Sequence, residues 1–257
     1  MKHLKAFWKR KGLLWELVKK GIKLKYRRSY LGIIWSFLEP LMTTIVLTVV
    51  FGTLLGKGGR DFPLYVLCGR LLYSFYSSST KSAAKSIRTN ASMIKKVYVP
   101  KYLYPLSSIL YNYVITGISL LVLIPLCIYC RQYPSLHMLY AFIPFALLFI
   151  LTYGSGMILA TVAVFFRDME YLWDVLLMII MYTSAIFYTP EKLLKSGYGW
   201  ILKYNPMYCI IMNFRCAMMG EPLNLQYLLT AAMYGVVLSV IGTYIFYKKQ
   251  DQFILAI

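Results

Sequence analysis

Acidic residues are scarce in this chain: 257 residues hold only 9 Asp and Glu, against 28 Lys and Arg, for a formal net charge of +19. Charge of either sign is thin, at 14% of residues, where soluble domains carry roughly 25%. With 60% hydrophobic residues, the chain lacks the polar surface of a soluble monomer and reads as a membrane protein. Histidine is nearly missing, with only His3 and His137, so a histidine-built metal site or proton relay has no material. The five cysteines (Cys68, Cys127, Cys130, Cys209, Cys216) lack metal-ligand spacing and lie mostly in apolar runs, as small core residues do. No phosphate-cradling Gly-x4-Gly-Lys-[Ser/Thr] loop occurs; the glycines between 52 and 59 have the wrong spacing. The chain therefore carries no ATPase device of that kind, and neither a metal, a cofactor nor a catalytic group is expected in it. No cleavable signal peptide is evident, since about 30 basic-rich residues precede the first apolar stretch, as in an uncleaved signal anchor.

What is abundant is apolar length. A helix needs about 20 largely apolar residues to cross a hydrocarbon core, and six runs qualify: 32–55, 62–80, 105–130, 140–166, 171–190 and 223–247. Each tolerates at most one charge, Glu39 in the first, Arg70 in the second and Asp174 near the start of the fifth. Pro105 suits the first turn of a helix, and the stretch around Pro134 and His137 reads as a loop. Residues 191–221 contain an uncharged run, 204–214, too short to span, which reads as an external re-entrant or interfacial segment between the fifth and sixth spans. The expected fold is an all-α integral membrane protein: a basic amphipathic helix over 1–30, then a six-span domain over 31–257.

Basic residues set the orientation. Of the 28 Lys and Arg, 11 fall in the first 30 residues and 6 in the link 81–101, with Arg167, Lys248 and Lys249 on the same side. The positive-inside rule makes that side, and both termini, cytoplasmic in a multi-pass inner or plasma membrane protein. Because the charges follow topology instead of forming a basic arm or stripe, nucleic-acid binding is not expected.

Three features invite a functional role. In the N-terminal segment Leu4, Phe7, Trp8, Trp15, Val18 and Ile22 recur at helical spacing opposite lysines and Arg10, which describes a helix in the headgroup plane or, more simply, a basic topology anchor; Lys11 and Gly12 predict a bend. In the link, Lys81, Lys85 and Arg88 share a helical face. Residues 90–100 (NASMIKKVYVP) then expose Met93, Ile94, Val97, Tyr98 and Val99, which must pack on the chain's own helix ends, on the bilayer or on a separate subunit. Within the spans, ionisable groups are costly and mark candidate sites. Glu39, beside Pro40, could line an aqueous path or pair with Arg70, though at 1.5 Å per residue they lie roughly 10 Å from the inner edge and 12 Å from the outer. Structural hydrogen bonds would serve equally. The mid-span tyrosines, among them Tyr73, Tyr76, Tyr111 and Tyr182, either line a lumen as flat, weakly polar rings or are satisfied between helices.

Residues 26–41 (YRRSYLGIIWSFLEPL), 90–107 (NASMIKKVYVPKYLYPLS), 166–168 (FRD) and Asn205–Pro206, in this order and with these loop lengths, resemble the membrane subunit of type-2 ABC transporters that export O-antigen, teichoic acid or capsule-like polysaccharide. The resemblance implies a non-enzymatic half-transporter that pairs with a second copy of itself and with two copies of a cytoplasmic ABC ATPase holding the ATP and Mg. It implies that a lipid-linked glycan passes through a central channel, with Trp35, Glu39, Arg70 and the mid-span tyrosines as channel candidates. Asn90, Met93, Ile94, Lys95, Lys96, Val97 and Tyr98, with Arg167 and Asp168, would couple to the ATPase, and Asn205 and Pro206 would belong to an external gate. Arg70 departs from the family pattern. The alternatives are an ABC exporter of a lipid or drug, a membrane-embedded glycan- or lipid-modifying enzyme, which would need more convergent acid, base or metal groups, and a proton-driven flippase, for which Glu39 and Asp174 are almost the only carriers.

Overall fold

The computed structural model describes residues 11–27, 29–53, 59–97, 99–132, 136–195 and 197–256, and among these every regular element is helical. The chain begins with α1 (Lys11–Tyr26), followed by α2 (Trp35–Thr48), which passes into a π-helical turn, Val49–Thr53. Next come α3 (Phe62–Thr89) and the short α4 (Ala91–Lys96). A long helical stretch joins α5 (Leu103–Ser119) through a 3₁₀ turn to α6 (Leu123–Cys130). Then follow α7 (Phe142–Phe165) and α8 (Met169–Thr183). Two short helices, α9 (Glu191–Lys195) and α10 (Gly199–Tyr204), precede α11 (Pro206–Met218), α12 (Leu225–Lys249) and a terminal α13 (Phe253–Ala256).

Among the described residues, four helical stretches are long and apolar enough to cross a membrane: Gly32–Gly52, Leu103–Cys130, Leu136–Phe165 and Leu225–Ala256. The other two expected spans differ for distinct reasons. α3 has ample length, 28 residues or about 42 Å, but it carries Arg70 and a charged final third. α8 has 15 residues, about 22 Å, and stops at Thr183 where the sequence predicts a run to 190. There the Ser184 hydroxyl donates back to Ile180 O at 2.6 Å, and Ala185 takes a left-handed conformation (φ 48°), which ends the helix. Of the expected loop before the fourth span, Leu136–Ala141 is a 3₁₀ helix, while Pro134 lies outside the described residues. The predicted N-terminal stripe also shifts. α1 runs without a break from Lys11, burying Leu14 and Val18 with Leu13 and Leu17 against the chain, while Trp15 stands 53% exposed beside Lys19. Residues 1–10 of that stripe lie outside the described residues.

α7 is the central pillar: in the stretch Leu136–Phe165 that contains it 67% of the most apolar part is buried, against 11% for Gly32–Gly52. It packs on α3 and, most intimately, on α12. A Cβ at Gly154 would sit 2.4 Å from Ser239 N, and one at Gly242 would sit 2.5 Å from Gly154 O, so glycine at both positions is what lets the two backbones touch. Small residues at helix crossings are how apolar helices gain contact where lipid competes equally for apolar surface. The main core gathers Leu64, Leu72, Phe75, Leu148 and Ile211. A second core at one end joins Leu14, Ile87, Ile94, Leu103, Phe246 and Phe253. That second core ties α1, α3, α4, α5, α7, α12 and α13 together at the end where the basic residues collect.

Candidate functional site

Three sites stand out along the long axis. At the basic end, α3 continues without interruption past its apolar portion and stops where Asn90 turns the chain, its Nδ2 donating to Ser86 O at 2.8 Å. The following helix α4 divides by face. Ile94 is buried and Met93 partly buried in the second core, so these apolar residues pack on the chain's own helices; Lys95, Lys96 and Val97 point outward, with Val97 54% exposed. Tyr98 lies outside the described residues. Arg167 and Asp168 are exposed in the turn between α7 and α8.

Ion pairs join α3 and α8, the helices that adjoin these two outward segments. Lys81 Nζ lies 2.8 Å from Asp174 Oδ1, Lys85 Nζ lies 3.4 Å from Glu170 Oε2, and Arg88 pairs with the same Glu170. Trp173 Nε1 adds a hydrogen bond to Thr80 Oγ1 at 2.9 Å. The shared face of Lys81, Lys85 and Arg88 expected from their spacing is thus a seam to α8. The more exposed pairs of Lys81 and Lys85 each contribute at most about 1 kcal/mol, but together with the more shielded Arg88–Glu170 pair they set the register of α3 on α8. Asp174, a conceivable proton carrier by sequence, is one of the two carboxylates in this seam.

Between α1, α2, α3 and α5 runs a polar cleft. Its inner part, about 100 Å³, is lined by Trp35, Glu39, Arg70, Ser74, Asn112 and Thr116 among others. The structure therefore brings Glu39 and Arg70 to one cavity. No ion pair joins them, and the Tyr26 hydroxyl instead meets Ser36 Oγ beside them. Pro40 withdraws a backbone donor here, and Thr43 Oγ1 donates to the Glu39 and Pro40 carbonyls at 2.8 and 3.1 Å. Through Lys25, Ser78 and Asn112 this cavity shares its wall with a wider cleft of about 790 Å³ at the basic end. Partial desolvation holds the Lys25 ammonium below the ordinary lysine value, and the negative field of Glu39 opposes that shift.

The tyrosines divide. Tyr73 is buried with its hydroxyl on Leu177 O at 2.9 Å, and Tyr76 is buried against Trp173. Tyr111 donates to Ser82 Oγ at 3.1 Å on the wall of the wide cleft, and its ring lies against Gly21, where a Cβ would approach it to 2.6 Å. Tyr182 is 58% exposed, and Trp35 49% exposed. Of the aromatic channel candidates, Tyr182 and Trp35 present the most exposed rings.

At the opposite end, Asn205 caps α11. Its Oδ1 accepts from Met207 N at 2.9 Å, and its Nδ2 donates to Thr183 Oγ1 and Ser184 Oγ at 3.0 and 3.2 Å. Pro206 fills the first helical position, where its missing N–H costs nothing. α11 is buried along nearly its whole length, and a single cation stands near its end. Arg215 is only 1% exposed. Its Nε donates to Tyr65 O at 3.0 Å, Nη1 to Ala185 O at 3.0 Å and Nη2 to Ile186 O at 3.2 Å, with the guanidinium 3.4 Å from the Tyr65 ring centroid. Tyr65 OH reaches Ala185 O and Tyr188 O. An arginine closing an otherwise apolar run was the signal that could have found it, because ionisable groups inside a membrane are rarely idle.

Residues 12–219 match the family model described as ABC-2 type transporter. The O-antigen export system permease protein RfbA of Klebsiella pneumoniae is 28% identical over 247 residues, covering 94% of this chain and 93% of that protein. RfbA of Myxococcus xanthus is 26% identical over 254 residues, 97% of each. The polysialic acid transport protein KpsM of Escherichia coli is 23% identical over 241 residues, 90% of each.

Proposed function

The chain belongs to the ABC-2 type transporter family, and from that premise we propose that it is the permease subunit of an exporter moving a lipid-linked polysaccharide from the cytoplasmic to the outer side of a bacterial inner membrane. The relatives named for O-antigen export and polysialic acid transport supply the substrate class. Two copies of this chain form the channel, and two copies of a cytoplasmic ATPase bind the ATP and Mg. The topology is six spans with both termini cytoplasmic. α3 crosses with its uncharged portion and continues into the cytoplasm, α8 crosses together with the packed turn that follows it, and α10 and α11 form the external re-entrant region. α1 lies along the cytoplasmic membrane boundary with Leu14 and Val18 inward.

The observation that carries the coupling assignment is the seam between α3 and α8. α4 follows α3 directly, and Arg167 and Asp168 immediately precede α8, so the two outward segments ride on one ion-paired body. When ATP closes the partner dimer, a push on Lys95, Lys96 and Val97 and on the 167–168 turn reaches the spans as a tilt of α3 and α8 together. The inner cleft with Trp35, Glu39 and Arg70 opens on the path the glycan follows, where shallow polar contacts allow sliding. With Asp174 in an ion pair, a proton-driven mechanism loses one of its two carriers.

The test replaces Lys95, Lys96 and Val97 together by alanine in cells lacking the native chain. The variant inserts normally, no longer co-purifies with the tagged ATPase subunit, and leaves the glycan inside the cell, as read by surface immunoblot. Normal surface glycan in this variant refutes the coupling assignment.

A further inference from the structure

Two arginines lie within apolar stretches of this fold, and they differ in what their guanidinium groups meet. Arg215 is buried and spends its donors on the carbonyls of Tyr65, Ala185 and Ile186. Arg70 stands about 12 Å along α3 from Phe62, at 1.5 Å per residue, inside the apolar part of that helix. It is half-buried, and among the described residues no hydrogen bond or ion pair engages it. A guanidinium is all donor and no acceptor. Held at membrane depth without a counter-charge, it is costly unless it serves a ligand or a water-filled path.

The surroundings describe what such a ligand carries. Arg70 lines the inner cavity, about 100 Å³, together with Trp35, Glu39, Ser74 and Thr116. The charged groups in this wall are Lys25, Glu39 and Arg70, so cations exceed carboxylates by one. Glu39 does not pair with Arg70, although both reach the cavity. The serine and threonine hydroxyls offer donors and acceptors together, which suits the hydroxyls of a sugar. Trp35, 49% exposed, presents a flat apolar face on which the C–H side of a sugar ring can lie. The space leaves room for one substituent of a sugar and not for a folded chain.

We propose that Arg70 is a specificity-determining residue for acidic glycans: its guanidinium takes the carboxylate of a uronic-acid-type sugar while Trp35 carries the ring face and Ser74 and Thr116 take neighbouring hydroxyls. A guanidinium meets a carboxylate with two parallel hydrogen bonds, a geometry that a point charge cannot reproduce. Glu39 supplies a competing carboxylate in the same cavity, so each acidic sugar is held weakly and gives way to the next. Placing this station on the export path rests on the transport proposal and names its substrate class; binding of an acidic sugar at Arg70 does not depend on export.

The test measures binding to the purified full-length chain in phosphatidylcholine nanodiscs, with end-labelled hexagalacturonate as the acidic probe and its methyl ester as a neutral probe of the same backbone. The wild type binds the acidic probe saturably and about tenfold or more tightly than the ester, as a charge-assisted bidentate pair predicts. Arg70→Gln brings the acidic probe to the level of the ester, and Arg70→Lys restores only part of the difference. Glu39→Gln tightens the acidic probe severalfold and leaves the ester unchanged, a response that a purely structural arginine would not give. Trp35→Ala weakens both probes alike, and Lys203→Gln at the opposite end changes neither. Equal binding of the two probes by the wild type, or no saturable binding of the acidic one, overturns the proposal without any variant having to fold. Displacement by inorganic pyrophosphate as effective as by unlabelled hexagalacturonate assigns an unselective anion site and overturns the sugar assignment. Measuring glycan export with the same variants keeps the two proposals apart. Arg70-dependent binding by a chain that exports nothing refutes the transport proposal alone, and export without preference for the acidic probe refutes this one alone.

Discussion

Arg215 is a buried charge with no carboxylate partner among the described residues, and three carbonyls plus the face of Tyr65 take its place. Two of those carbonyls, of Ala185 and Ile186, follow the C-terminal end of α8, where a cation is also favoured by the helix dipole. Removing the guanidinium leaves buried carbonyls unpaired, so Arg215→Met should cost about 2–4 kcal/mol, read as a lowered midpoint of thermal unfolding in detergent. Lysine should not restore it, because one ammonium cannot reproduce the fork that reaches Tyr65, Ala185 and Ile186 at once. Gly69 belongs to the same arrangement: a Cβ there would meet Arg215 Nη2 at 2.7 Å, so Gly69→Ala should reproduce a large part of the loss with the arginine intact.

At the scale of elements, the decisive object is the α3–α8 seam. Reversing Lys81 to Glu should change stability by no more than about 1 kcal/mol, since the pair is half-exposed, yet reduce export severalfold by unlocking the two helices. Adding Asp174→Lys should return export toward the wild-type level. A double-mutant cycle in surface-glycan output measures this directly, and additive losses would show that the seam transmits nothing. The spacing of Lys81, Lys85 and Arg88 was plain in the sequence, as was the helix that carries them. Their partners were not, because Glu170 and Asp174 are distant in sequence and helical periodicity says nothing about which face meets which. The same limit explains α4. The sequence shows that Met93, Ile94 and Val97 must pack on something, but only the fold separates Ile94, which turns inward, from Val97, which does not.

At the scale of the molecule, the long apolar runs and the lopsided charge were legible as an all-helical membrane protein, since hydrophobic length and basic flanks are local properties of the chain. What they could not convey is depth. α8 ends at Thr183 because of a backbone turn at Ala185 that no hydropathy pattern records, and Glu39 and Arg70 reach one cavity only through the way α2 lies on α3. The crossing of α7 and α12 carries a consequence for how the protein comes to exist. The partner of Gly154 is a backbone segment around Leu238 and Ser239, far downstream in synthesis, and ribosomes add only about 5–20 residues each second. The central helix must therefore wait in lipid for seconds with its groove unfilled. Nascent chains arrested before Leu225 should remain sensitive to protease in isolated membranes, whereas chains released after Lys249 become resistant, and Gly154→Val should leave even the completed chain in the sensitive form. Assembly of the α7 pillar therefore closes on the last long helix of the chain.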